Sequence, residues 1–261
     1  GERSELGKEA SWAGAGILPA PTTSDNLPAW KRLQAISFQL HETWHAQLKA
    51  ETGIDNGYHR CGGLHIARKA GEASVLAADM AELAADGVSI RRINDAEALN
   101  NLLPRVSQFG IAAAFHLPDE SQIRNPRHLQ ALALACRQRG VQVVEGADVS
   151  DIEVTSDRVL RAKAQDAIIE AKNYVIATGA WSERLLQPLG LNLPVYPVRG
   201  QMLLYRFPQR PLTCIVNEGP RYIVPREDGH VLIGSTEEDV GFDKQTTEQG
   251  LAELSEFAES L

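Results

Sequence analysis

Apolar positions along the 261-residue chain change period several times, and the changes mark out its elements. After Ser24-Asp25-Asn26 and Leu27-Pro28, the residues Leu33, Leu40, Trp44 and Leu48 fall near one stripe of a 3.6-residue repeat. A polar cap, an early proline and that period predict a helix over residues 24–52. "GYHRCGGLHIARK" from Gly57 to Lys69 alternates apolar and polar residues between glycines, and "VSIRRIN" from Val88 to Asn94 has the composition of a strand. The Ala- and Glu-rich stretch 71–86 between them predicts a helix. Another helix follows Asn94-Asp95 and stops at Pro104, ahead of a strand in "GIAAAFHLP" from Gly110.

"RNPRHLQALALACRQRG" then offers Asn125 as cap, Pro126 at the first helical position and Gly140 as terminator, and it runs directly into "VQVVEG". That pattern predicts a helix feeding a buried strand. Short strands are predicted over 149–154, 158–164 and 168–178, with a tight hairpin at "SDR". The last of them ends in "YVIATGAWSERLLQPLG", a strand, a Thr-Gly-Ala turn and a helix starting near Trp181. Turns of this kind bring the main chain close to a phosphate. Beyond Pro194 the strands "YPVRGQMLLYRF", "LTCIV", "RYIVPR" and "HVLIGST" follow one another.

The pattern is that of an α/β chain with mixed and antiparallel sheets. Residues 1–52 and 119–192, with a C-terminal helix at 246–261, are predicted to form one cofactor-type unit, interleaved with a sheet-rich unit from 53–118 and 193–245. Apolar residues make up 43% and charged residues 23%, so a folded globular chain is expected. The net charge of -8 argues against a nucleic-acid or anionic-membrane surface, both of which need a basic footprint. No stretch approaches the roughly 20 apolar residues of a membrane helix, and a cytoplasmic location is expected. Cys61, Cys136 and Cys214 form no C-x-x-C pair and read as free thiols in a reducing compartment.

Four stretches carry candidate chemistry. "HETWH" at His41, Glu42 and His45 fits the H-E-x-x-H spacing, in which two imidazoles one turn apart hold zinc and the Glu activates water. No third ligand follows at the expected distance, however, and the pair lies off the apolar stripe on what reads as a solvated flank. In Ala10-Ser11-Trp12-Ala13-Gly14-Ala15-Gly16 every residue but Trp12 is small, which lets a ligand touch the main chain, though a close-packed turn needs the same residues. "IATGAWS" from Ile176 offers main-chain N–H groups to an anion. In "RYIVPREDGHVLIGSTEEDVGF", Tyr222 heads a strand whose return partner ends among acids.

In order along the chain, "GKEASWAGAGILP", "DESQIRNPRHLQAL", "VIATGAWSERLL", "PVYPVRGQMLL" and "YIVPREDGHVLIGSTEEDVGFDKQTT" resemble the D-amino-acid oxidase family of FAD-dependent oxidoreductases, nearest to the glycine oxidases of thiamine biosynthesis. The resemblance implies a glutathione-reductase-like FAD-binding domain intertwined with a mixed-sheet substrate domain. It also implies FAD as cofactor, a small amino acid or amine as substrate, oxygen as acceptor, and the homo-oligomers common in the family. By the same matching, Glu2 and Arg3 end a strand that meets the adenosine ribose. Ser11, Trp12, Ala13, Gly14, Ala15 and Gly16 line the pyrophosphate and flavin ring, and Val149 meets the adenine. Thr178, Gly179 and Trp181 sit near the FAD, and Tyr222 reaches the substrate carboxylate.

The family pattern opens with a βαβ unit carrying G-x-G-x-x-G and closes with a carboxylate-binding arginine, neither of which is matched here. The chain therefore reads as an internal fragment lacking the N-terminal βαβ start, with weak or no FAD binding of its own. Arg199, Arg221 and Arg226 are the substitutes available for the carboxylate. The implied chemistry is hydride transfer from the substrate α-carbon to flavin, hydrolysis of the imine, and hydrogen peroxide on reoxidation. The alternatives are a D-amino-acid dehydrogenase or sarcosine oxidase, a zinc hydrolase resting on His41, Glu42 and His45, and a non-catalytic binding module.

Overall fold

The computed structural model describes residues 2–104, 110–156, 158–165 and 167–260. The hairpin turn expected at "SDR" includes Asp157, which lies outside the described residues. The helices are α1 (Ala10–Ala13), α2 (Ala29–Thr52), α3 (Ala70–Ala85), α4 (Ala96–Leu102), α5 (Asn125–Gln138), α6 (Ser182–Leu186) and α7 (Glu248–Glu259). The strands β1 (Ile17–Leu18), β2 (His59–Arg60) and β6 (Ser121–Gln122) make a small sheet in the order β1-β6-β2. Strands β3 (Gly63–Ala67), β4 (Arg91–Arg92), β5 (Ala113–Leu117), β10 (Met202–Arg206), β11 (Ile215–Glu218), β12 (Arg221–Pro225) and β13 (His230–Gly234) make the main sheet, ordered β10-β13-β12-β11-β3-β5-β4. The meander β7 (Val149–Val154), β8 (Val159–Ala164) and β9 (Ala167–Ile169) stands as a third sheet.

The main sheet takes its strands from 53–118 and 193–245, and they are joined by the parallel pair β11 and β3. Its core follows from the period-two alternation of side chains. Ala113, Phe115 and Leu117 of β5 pack with Met80 of α3, while Ala114 joins Leu64, Ile66, Val216 and Ile233 on the other face. That second face is covered by Leu103 beyond α4 and by Phe257 of α7. Burying a side chain such as Phe257 contributes roughly 1.5–3 kcal/mol. The C-terminal helix thus packs on the main sheet, whereas the sequence pattern assigned it to the cofactor unit. Elsewhere, α2 and α5 meet through Leu48, Ala131 and Ala135.

Three expectations are corrected. Helix α2 starts at Ala29 after Pro28, without a side-chain cap, and buries Phe38 and Leu48. Leu33 is 68% exposed and Trp44 40%, so the predicted stripe is mostly a solvent face. "VQVVEG" forms no strand, and Val141 and Val144 are exposed. Its backbone link to the N-terminal segment is three bonds, Glu2 N–H to the Val144 carbonyl at 2.8 Å, Ala147 N–H to the Glu2 carbonyl at 2.8 Å and Gly146 N–H to the Ser4 carbonyl at 3.2 Å. The strand expected over 168–178 ends at Ile169, and Val175 is 87% exposed. A buried strand is stable only when neighbours on both sides take up its N–H and C=O groups. Among the described residues neither segment has ladder partners on both sides, and 144–147 meets only the N-terminal segment on one of them.

Candidate functional site

The loop Ser11–Gly16 lies against the start of α5, and α5 sets its shape. Asn125, expected as a cap, is instead the first residue of the helix, and its Nδ2 donates to the Ser11 carbonyl at 3.0 Å. Ile123 N–H donates to the Gly16 carbonyl at 2.8 Å. Gly16 has φ of 73°, and a Cβ there would run into the Ile123 carbonyl; one on Gly14 would lie 2.5 Å from Asn125 Nδ2. Gly16 is therefore required by the packing of the loop itself, while a side chain at position 14 would have to displace the Asn125 amide.

Arg226 holds the same loop from the other side. Only 6% exposed, it donates to the Ala15 carbonyl at 2.6 Å, the Ile123 carbonyl at 3.0 Å and Gln122 Oε1 at 2.7 Å. Burial pulls its guanidinium down to about 10, which leaves it charged at neutral pH. Tyr222 enters from β12, opposite Gly234 of β13. A Cβ on Gly234 would lie 2.7 Å from the Tyr222 hydroxyl, so the glycine makes room for the ring. The phenol donates to Met202 Sδ at 3.2 Å, and burial raises its pKa, which keeps it a protonated donor.

Between these parts lies an open cavity of about 590 Å³, walled by Ser11, the run from Gly14 to Leu18, Ile123, Asn125, Leu129, Tyr222 and two histidines, His41 and His128. None of its lining residues is Lys, Arg, Asp or Glu. The HETWH helix thus presents His41 to the cavity, where the sequence pattern placed it on a solvated flank. The His41 and His128 rings are 5.6 Å apart. Burial lowers both pKa values, with His128 down to about 4 after a smaller contribution from His41, so both imidazoles are neutral at pH 7. His45 turns away to Asn56 Oδ1, 2.7 Å from its Nδ1. Among the described residues no group of three or more His, Cys, Asp or Glu could hold a metal ion.

The remaining residues singled out in the sequence lie elsewhere. Trp12 sits under the Lys8 ammonium at 3.5 Å and lines a second cavity with Leu129 and Glu145. Ala13 ends α1, exposed. Glu2 pairs with the 144–147 segment, while the Arg3 guanidinium lies 4.1 Å over the Trp181 ring, which stacks on Phe242 at 4.9 Å. Glu9 joins Arg3 and Lys244 there, and its carboxyl is held below its ordinary value, chiefly by Lys244. Thr178 precedes a 3-10 turn that Gly179 opens, and the five-residue α6 follows from Ser182, so the expected turn has its helix but no strand ahead of it. Val149 opens β7 opposite Ala164.

The three candidate arginines are committed elsewhere. Arg199 pairs with Glu238 and Asp243, Arg221 with the Glu253 carbonyl, and Arg226 with the loop. Sequence reasoning missed Arg226 in this role, although period-two alternation puts it on the face of Tyr222. It also missed His128, Asn56 and the loop contact of Asn125, which no local pattern signals.

The residues at the cavity fit the ring end of a flavin: mostly main chain and apolar side chains, with a few polar groups, at a volume typical of cofactor pockets. Comparison with known proteins gives the family. The family described as DAO, FAD dependent oxidoreductase, matches residues 2–261. Glycine oxidase of Pseudomonas putida is 33% identical over 262 residues, covering 100% of this chain and 70% of that protein. The bifunctional protein ThiO/ThiG of Nostoc sp. is 30% identical, covering 95% of this chain and 37% of its own. The crystal structure of glycine oxidase from Geobacillus kaustophilus superposes with a TM-score of 0.91 at 30% identity, covering 100% of this chain and 70% of that one.

Proposed function

This chain belongs to the family of FAD-dependent oxidoreductases, and from that premise we propose that it carries the flavin-ring and substrate side of an amino-acid oxidase acting on glycine or a closely related small amine-bearing acid. Relatives at 30–34% identity support amino-acid oxidation, and the names glycine oxidase and ThiO/ThiG support a supply role in thiamine biosynthesis. The observation that carries the reading is the one cavity on which the loop Ser11–Gly16, leading into β1 of the small sheet, and Tyr222 of the main sheet converge. When bound, FAD supplies the two-electron acceptor for oxidation of the amine.

The chain's own residues would then do three things. Tyr222, kept protonated by burial, turns its O–H from Met202 Sδ to donate to a substrate carboxylate oxygen. The main chain from Gly14 to Leu18, clamped by Arg226 and Asn125, gives the ring a fixed and largely apolar wall that excludes water. The neutral histidines leave an amine in the cavity without a strong base. Hydride loss from a neutral amine needs none.

The test is a peroxide-coupled assay of the protein with FAD in excess, using glycine, sarcosine and D-alanine. Peroxide from glycine ahead of D-alanine, with a raised KM in Tyr222→Phe, supports the reading. Bound flavin with no peroxide but with reduction of an artificial acceptor turns it to a dehydrogenase. Zinc-dependent hydrolysis without flavin binding overturns it.

A further inference from the structure

Asn56 is 1% exposed and stands between two histidines from different helices. The main-chain N–H of Tyr58 donates to its Oδ1 at 3.1 Å, and since an N–H cannot accept, this contact identifies the amide oxygen. His45 Nδ1 lies 2.7 Å from the same oxygen and so carries a proton, while Asp55 stands farther off at 3.9 Å. The other end of the amide is then the NH₂ group, and it faces His128 Nδ1 at 3.2 Å. That nitrogen must be the bare acceptor. A neutral imidazole with a bare Nδ1 carries its proton on Nε2. The His128 ring makes no other hydrogen bond among the described residues, and it lines the cavity beside the loop. His41, next to it, has an enclosed Nδ1 with no partner.

We propose that Asn56 is a tautomer clamp that sets His128 as a neutral Nε2–H donor on the cavity wall, and that this donor, with His41 beside it, receives an oxygen acceptor of the bound ligand. The acceptor is either a carbonyl of the flavin ring or the carboxylate of the substrate, two sources of the same chemistry. The proposal rests on the functional reading given above and gives the histidines of the HETWH helix and of α5 separate tasks. His45 anchors the clamp, and His41 and His128 face the ligand. Asn56 is a positioning residue, acting through His128.

The experiment uses the whole chain labelled with ¹⁵N-histidine, so that nitrogen shifts read each tautomer directly. Lumiflavin, the ring without ribityl phosphates or adenosine, and glycolate, a carboxylate with no amine, are the two probes. The wild-type chain should show His45 as Nδ1–H and His128 as Nε2–H, and one probe should move the His128 Nε2 resonance, which identifies the oxygen. Asn56→Leu should leave His128 in mixed tautomers. His128→Phe should weaken the active probe about fivefold if it is lumiflavin, the share of one neutral hydrogen bond, and about tenfold or more if it is glycolate, whose carboxylate is charged. His128→Gln, whose amide N–H falls near the Nε2 position, should restore affinity to within about twofold of wild type. Melting curves check that each variant folds.

A wild-type His128 found as Nδ1–H, a tautomer unchanged by Asn56→Leu, or a His128→Phe chain that binds the active probe as well as wild type overturns the clamp. Lumiflavin fluorescence quenched by the chain while neither probe moves His128 overturns the donor role and leaves the flavin reading standing. Lumiflavin neither quenched nor bound removes the flavin reading. If glycolate also leaves His128 unmoved, the donor role falls with it.

Discussion

His128 makes stability depend on pH in a window that can be worked out. Its imidazole, ordinarily titrating at 6.5, is pushed down to about 4 in the fold, first by burial and then by the His41 ring beside it. In the unfolded chain the same group takes up its proton below about pH 6.5, while in the fold it resists until about 4. The contribution is therefore complete above the unfolded value and is lost progressively as pH falls between 6.5 and about 4. At 1.36 kcal/mol per pH unit of differential protonation, the loss reaches about 2 kcal/mol by about pH 5 and about 3 kcal/mol near pH 4.

His41 is shifted in the same direction by burial alone and contributes with the same sign. Because its shift does not depend on His128, it persists in a His128→Phe chain, and the difference between the two chains isolates His128. Urea unfolding followed by tryptophan fluorescence at about pH 7.5 and about pH 5 should show wild type losing about 2 kcal/mol more than His128→Phe. Equal losses in the two chains would refute the argument, because they would mean that His128 titrates normally in the fold.

Gly16→Ala should lower stability by roughly 2–4 kcal/mol, since alanine is strained at φ of 73° and its Cβ displaces the Ile123 carbonyl; an unchanged urea midpoint would contradict this. Arg226→Met removes the donor to three buried acceptors and should cost roughly 3–5 kcal/mol and open the loop near Trp12 to limited chymotrypsin, with Arg226→Lys retaining part of both; resistance equal to wild type would count against the clamp. Thiol labelling of the folded chain should be fast at exposed Cys136 alone. Cys214, pushed up to about 12 by burial, and Cys61, raised for the same reason, should react only as the chain unfolds.

What the sequence discloses here is set by the range of the forces that act on it. Helices α3, α4 and α5 and strands β5, β12 and β13 lie where the periodicity puts them, because each buries one face against neighbours within these residues. "VQVVEG" and "YVIAT" carry an equally apolar pattern, yet a strand exists only with its ladder partners, and in the described residues these segments are exposed instead. The stripe of α2 misleads for a related reason: helical period locates an apolar face but does not say whether anything covers it. The site divides along the same line. Small residues around Gly14 and the strand parity of Tyr222 can be read from neighbours in sequence. The contacts that give the cavity its chemistry cannot, since Asn56 meets His128 across 72 positions, Asn125 meets Ser11 across 114, and Arg226 meets Ala15 across 211. A histidine's role there depends on which of its nitrogens finds a partner, and that is decided by an asparagine whose own amide is oriented by the N–H of Tyr58. The polar groups that orient one another across the fold are therefore where measurement on this chain will be most informative.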